Sequence, residues 1–332
     1  MTEKKISIVT PSYNQGEFIE ETICSILDQG YSNLEYMIID GGSNDNTVEI
    51  IKKYEKHLSY WVSEKDKGQS HAINKGIKTL TGDVFNWINS DDIVLPGTFK
   101  EVNKVFQNKE VLCYGGKVKH YINGELSEFN SVQNIKDVNE YWNNPKINQP
   151  STYYSVKAIE KMGLLNSRLH YAMDYEWWLK FLYHFGPEKA VFNNEFLSGF
   201  RLHDASKTET NSYIFQKDIA NQLFQLTKLV GLESYSKPLE SGYEIYNDYK
   251  FDAPVKKEDK EQIKNMVTYF LLKWHSEIYN EQDFNIVKSI KENIDLKDVK
   301  QIKSEWVTKI ENYNLSNWTS FKLKRKIRSI FS

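Results

Sequence analysis

Cysteine is scarce in this chain: Cys24 and Cys113 are the only two in 332 residues. That excludes a disulfide framework and any metal site built on paired thiols. A helical pattern around Cys24 and a strand pattern around Cys113 fit reduced, buried thiols. No apolar run is long enough to cross a bilayer, and Met1-Thr2-Glu3-Lys4-Lys5 leads into a short strand rather than a signal-peptide core. The expected location is therefore the cytoplasm. Both common phosphate loops are also missing, since neither GxGxxG after the first strand nor GxxxxGKS/T occurs. Any bound nucleotide must have its diphosphate held by something other than a glycine loop. The net charge is only −2, and no nucleic-acid reading module accompanies the short basic stretch at the end, so nucleic acid is not an expected partner.

What is present begins with regular alternation. Ile6 to Thr10, Glu35 to Asp40, Ser59 to Ser63 and Asp83 to Ile88 are strand-like. Helical patterns follow each of the first three, ending with Gly68 to Leu80. Strands alternating with helices predict an α/β fold: a mostly parallel, Rossmann-like sheet flanked by helices. Ligands in such sheets bind at the carboxyl ends of the strands.

The fourth strand ends in Asn89-Ser90-Asp91-Asp92, followed by Pro96-Gly97. Two adjacent carboxylates facing one cleft repel unless a cation or a proton lies between them, and Mg²⁺ or Mn²⁺ is the natural hard-cation partner. The same residues also read as a loop before a helix cap. Further along, VLCYGG and KVKHYI read as strands around turns at Gly115-Gly116 and Asn123-Gly124, and Asn130 to Pro150 reads as a loop with a short helix. Asp174 opens a helix that carries Trp177, Trp178, Phe181 and Phe185. An apolar setting raises a carboxyl pKa and a helix N-terminus lowers it, a balance that suits a general base and equally a plain cap.

Several motifs in order carry a family resemblance: SIVTPSYNQ, IIDGGSNDNT, SEKDKGQSHAINKG and NWINSDD, then QPSTYYS, LNSRLHYAMDYEWWLKF and RLHDASKT. Together they resemble family 2 inverting glycosyltransferases of the GT-A fold, over roughly the first two-thirds of the chain. The resemblance implies that Pro11, Tyr13 and Asp40 hold the base and ribose of a sugar nucleotide, with Asp66 and Lys67 near the ribose and diphosphate. It places Asn89, Ser90 and Asp91 at the DXD motif, with Asp91 the metal ligand. It makes Asp174 the base, and puts Arg201 and His203 at the diphosphate or metal. His71 sits where relatives often carry Asp. Departures from the family pattern stand out: the first acid of the DXD motif is Asn89, the common Asp-Asp-Gly-Ser is Asp40-Gly41-Gly42-Ser43, and the Glu before the base is Met173.

The expected activity is transfer of a sugar from a nucleotide-sugar, UDP-linked by preference, to a saccharide hydroxyl in surface-polysaccharide assembly, with Mn²⁺ or Mg²⁺ as cofactor. A non-catalytic nucleotide-sugar-binding protein and a sugar nucleotidyltransferase are the rivals. The expected division is residues 1–212 as the catalytic domain and 213–332 as a helical appendage that completes the acceptor site or a homo-oligomer. After Glu311 the chain has five basic residues and no acid, which leaves −7 on the rest. Leu323, Ile327, Ile330 and Phe331 share one helical face there, so this segment reads either as a helix on an anionic inner-membrane surface or as one docked on the protein.

Overall fold

The computed structural model describes residues 2–122, 125–127, 138–143, 145, 147–202, 212–298 and 302–323. The chain forms two units, residues 1–141 with 145–215, and residues 142–144 with 216–332.

The first unit starts with β1 (Ile6–Ser12), α1 (Ile19–Leu27), β2 (Leu34–Asp40), α2 (Thr47–Lys53), β3 (Tyr60–Ser63), α3 (Gln69–Thr79) and β4 (Val84–Trp87). These four strands are parallel, in the order β3-β2-β1-β4. Side chains of β1, β2 and β4 alternate between two covered faces, which is why these strands read as near-continuous apolar runs, while β3 at the edge is partly exposed. Ile6, Ile8, Tyr36 and Ile38 pack with Ile19, Ile23 and Ile26 of α1 in one buried cluster.

The sequence then adds β5 (Ile93–Val94), α4 (Thr98–Val105), β6 (Cys113–Ile122), β7 (Glu125–Ser127), α5 (Val138–Asn143), β8 (Thr152–Ser155), α6 (Val156–Met162), α7 (Met173–Phe185) and β9 (Ala190–Arg201). The sheet continues as β4-β8-β6-β9-β5, with β7 on β6. Here β8 runs antiparallel to β4 and β6, and β9 runs parallel to β6. An apolar stripe docks α7 on the sheet. The Trp177 ring lies 5.6 Å from both Trp87 and Tyr154, each edge-on, and Trp178 stacks on Phe181 at 5.4 Å. That contact fixes where Asp174, in the first turn of α7, comes to rest.

One turn expectation is corrected. Gly115-Gly116 does not turn the chain: β6 runs through it as one strand whose register with β9 shifts beside Lys117. A Cβ at Gly116 would meet the Leu197 side chain at 2.5 Å, so the glycine permits close strand approach at an irregularity. The Asn123-Gly124 pair lies outside the described residues, and β6 pairs antiparallel with β7 on either side of it.

The second unit is helical. It contains most of α8 (Ser212–Leu229), then α9 (Glu233–Gly242), α10 (Lys260–His275), α11 (Glu281–Asn293) and α12 (Ser304–Asn312). Ile263, Val267 and Leu271, one turn apart, form the buried stripe of α10. Buried His275 joins Tyr243 Oη at 2.6 Å to Asp283 at 2.7 Å. Asp283 in turn completes a capping box with Asn280 at the start of α11. Phe284 meets Trp318 and Phe321 at 5.7 and 5.5 Å. Leu323 is exposed, and the rest of the basic segment, residues 324–332, lies outside the described residues. Among the described residues no helix is long and apolar enough to cross a membrane.

Candidate active site

Four loops meet at the carboxyl ends of β1 to β4 and enclose a cavity of about 600 Å³. The end of β1 contributes Pro11 and Ser12 and the loop after it Tyr13 and Gln15, the loop after β2 Gly41 and Gly42, the loop after β3 Lys65 and Asp66, and the acid loop after β4 Ser90. The first two loops are stitched together: Asn14 N donates to Ser43 Oγ at 2.7 Å, Asn44 N to Asn14 Oδ1 at 3.0 Å, and Gln15 N to Thr47 Oγ1 at 2.8 Å.

Pro11, Tyr13, Asp66 and Ser90 thus come together in one cavity. The Tyr13 ring is 59% exposed at its rim, where a planar base has room to stack. Ser12 Oγ and Gln15 Oε1 belong to residues that line the cavity, and both are buried without a hydrogen-bond partner among the described residues. Beside a cavity, such atoms leave room for a polar ligand or water to satisfy them.

Asp40 stands behind this wall. It is fully buried, and its carboxylate accepts from Gly42 N at 3.0 Å, Ser43 N at 2.9 Å, Ser43 Oγ at 2.5 Å and Ser63 Oγ at 2.6 Å. It shapes the Gly41–Ser43 loop, in which Gly42 takes φ +84°, a left-handed value that a side chain would strain.

The acid loop is braced from three sides. Thr22 of α1 donates its hydroxyl to the carbonyls of Ser90 and Asp92, at 2.9 and 2.7 Å. Gln69 Nε2 donates to Asn89 Oδ1 at 2.7 Å, and Asn89 Nδ2 to Asp92 Oδ2 at 3.2 Å. Arg201 donates from its backbone to Asp92 Oδ1 at 3.2 Å and from Nε to the Asp91 carbonyl at 2.8 Å. The Arg201 guanidinium also pairs with Glu21 and lies 4.3 Å from the Tyr121 ring centroid. Burial, and after it the Asp91 charge, push the Asp92 carboxyl well above the usual range. Asp92 and Asn89 are thus bonded to one another within the loop, and Asp91 is the loop's partly exposed carboxylate. Among the described residues no three His, Cys, Asp or Glu side chains gather into a set able to hold a metal. A donor set of one carboxylate fits a Mg²⁺-like ion that takes its other ligands from phosphates and water.

Asp174 reaches the same end of the sheet. Ser70 Oγ, in the first turn of α3, contacts Met173 Sδ at 2.8 Å and so ties the start of α7 to the start of α3, where Gln69 lies. Burial raises the Asp174 carboxyl to about 6, against the lowering hydrogen bond from Tyr175 N at 2.8 Å. Lys67 lines a separate small cavity beside Gln69, not the large one. His203 lies outside the described residues. Sequence reasoning missed Lys65 and Gln69, although both fall inside or beside motifs it singled out. It also missed Glu21 and Tyr121, whose partnership with Arg201 no local pattern announces.

A large cleft at the carboxyl ends of four parallel strands, with Ser90 of the acid loop in its wall, sits where open α/β sheets bind their ligands; Asp91 and Asp174 do not line it. The chain belongs to glycosyl transferase family 2, whose model matches residues 7–179. An uncharacterized glycosyltransferase of Rickettsia typhi is 29% identical over 215 residues, covering 62% of this chain and 66% of the relative. One of Haemophilus influenzae is 23% identical over 327 residues, covering 85% and 95%. The chain spans 31% of a Rickettsia felis relative, at 29% identity over 189 residues and 53% of its own length. Among solved structures, S. aureus TarS 1-349 superposes with TM-score 0.60 at 16% identity, covering 89% of this chain and 82% of that one. The mannosyltransferase PcManGT from Pyrobaculum calidifontis, in complex with GDP-Man and Mn²⁺, gives TM-score 0.53 at 14% identity, covering 93% and 85%. These likenesses show the GT-A-like fold.

Proposed function

We propose that this chain is an inverting, single-displacement glycosyltransferase that takes its sugar from a nucleoside-diphosphate donor, with UDP the preferred nucleotide. The observation that carries this is the large cavity, lined by the exposed Tyr13 and by Ser12 and Gln15, whose Oγ and Oε1 are buried without a partner among the described residues. TarS has also been solved in complex with UDP-GlcNAc, which supports the choice of nucleotide.

In this reading Tyr13 and Pro11 take the base, Ser12, Gln15 and Asp66 the ribose, and Lys65 the diphosphate. Asp40 acts by holding the loop that contacts them. Asp91 would hold Mn²⁺ or Mg²⁺, which supplies charge neutralisation on the diphosphate when bound. Asn89, Ser90 and Arg201 position that carboxylate. His203 is assigned to the diphosphate side by resemblance alone. Asp174, ionised above about pH 6, removes the proton from an acceptor hydroxyl. That oxygen bonds to the anomeric carbon as the bond to the diphosphate breaks, so the centre inverts.

We assign this chemistry to residues 1–212 and treat 213–332 as a helical appendage. Its basic end would rest on an anionic membrane, with a lipid-linked acceptor for polysaccharide or glycoconjugate assembly. Removal of residues 320–332 should abolish binding to phosphatidylglycerol vesicles, and binding that survives would refute the membrane assignment. For the transferase, the test is Asp174→Asn: turnover should fall at least a hundredfold while nucleotide affinity stays within twofold. Unchanged turnover would remove Asp174 from the role.

A further inference from the structure

The small cavity beside the large one has a different character. It measures about 70 Å³, and its lining includes Lys67, Gln69, Ser70, Ser167 and His170, with no carboxylate among its lining residues. Water takes about 30 Å³ per molecule in the liquid, so the space suits one group of a few heavy atoms rather than a sugar ring. Its chemistry is that of an oxyanion site: a flexible ammonium, an imidazole, two hydroxyls and the opening turn of the 11-residue α3. Carboxylates, which often grip sugar hydroxyls and would repel an anion, are absent from this lining. Lys67 is exposed and, unlike Lys75, which pairs with Glu64 at 2.6 Å, has no ion pair among the described residues.

Position supplies the rest. Ser70, in the cavity wall, contacts Met173, the neighbour of Asp174, while Gln69 lines both cavities. A group held here lies on the side of the proposed base, with the donor cavity across Gln69.

We propose that this cavity is an acceptor subsite for a phosphate group, so that the acceptor is a phosphorylated molecule whose hydroxyl is presented to Asp174. The proposal rests on the donor and base assignments above. The rival source of the same chemistry is the diphosphate of the donor itself.

Calorimetric titrations of inorganic phosphate, glycerol 3-phosphate and glycerol into the full chain, alone and saturated with UDP and Mn²⁺, separate the two. Lys67→Ala and His170→Ala serve as variants, each checked for native circular dichroism. The expected result is that both phosphates bind the UDP-loaded protein and glycerol does not. Lys67→Ala should weaken phosphate at least tenfold and leave UDP affinity within twofold, with a smaller loss in His170→Ala. If UDP displaces phosphate, or if Lys67→Ala weakens UDP as much as phosphate, the cavity belongs to the donor and the inference is overturned. Absence of phosphate binding overturns it as well. Absence of UDP binding in every arm would instead bring down the donor reading on which it rests.

Discussion

Replacing Asp174 by Asn should make the protein more stable and less active, and the stability change should depend on pH. The carboxyl is raised from 3.8 to about 6 by burial. An acid whose folded pKa lies above its unfolded value penalises the fold once it ionises. The penalty is absent below the unfolded value, grows between 3.8 and about 6, and is complete above that. A shift of about two units has a ceiling near 3 kcal/mol, and the partial exposure of the side chain brings the expected gain to roughly 1–2 kcal/mol at pH 7.5. The Asn amide oxygen can still accept from Tyr175 N, so the start of α7 keeps its hydrogen bond. Urea unfolding followed by tryptophan fluorescence at pH 4, 5, 6 and 7.5 reads the effect through Trp177 and Trp178. The two proteins should unfold together at pH 4 and separate as pH rises. Equal destabilisation of the Asn variant at every pH would refute the desolvated base. In the wild type, kcat should climb about tenfold per unit below pH 6 and level above it.

Three further changes test the scaffold and the cavity. Glu35 accepts from Ser7 at 2.6 Å and Thr81 N at 2.8 Å and pairs with Lys5 at 3.0 Å. These contacts outweigh burial, which would raise the Glu35 pKa, and hold it near 2 against an ordinary 4.5. Its contribution is therefore present above pH 4.5 and fades as pH falls towards 2. Glu35→Gln should cost roughly 2 kcal/mol at pH 7 and progressively less on acidification, as read by denaturant midpoints. Thr22→Val removes the hydroxyl that bridges two carbonyls of the acid loop. Metal-supported nucleotide binding should weaken several-fold although no cavity residue has changed, and calorimetry measures this. Tyr13→Ala should leave stability within about 0.5 kcal/mol, because the ring is exposed, while costing about tenfold in nucleotide affinity through lost stacking.

Legibility in the sequence follows interaction range. The strands and helices from Ile6 to Trp87 were readable because each declares itself by local period and strand-end punctuation. Past Trp87 the strands are short or irregular and take their partners from far away, so Gly115-Gly116 passed for a turn and β5 left no pattern at all. The site divides the same way. Tyr13, Asp66 and Ser90 sit at strand ends and line the cavity. Asp40 shares that position, yet four donors from its own and the neighbouring loop fill its carboxylate, and only coordinates reveal that. The pairing of Arg201 with Glu21, 180 positions away, is likewise beyond any local pattern.

Calorimetric titration of UDP, GDP, dTDP and CDP, with and without Mn²⁺, into wild type and Asp91→Asn tests the account most directly. It predicts that one nucleotide binds the wild type, that Mn²⁺ tightens this binding, and that Asp91→Asn loses the gain from the metal while keeping the weaker metal-free affinity. No nucleotide binding under any condition would contradict the assignment of the large cavity, and with it the proposed transferase chemistry.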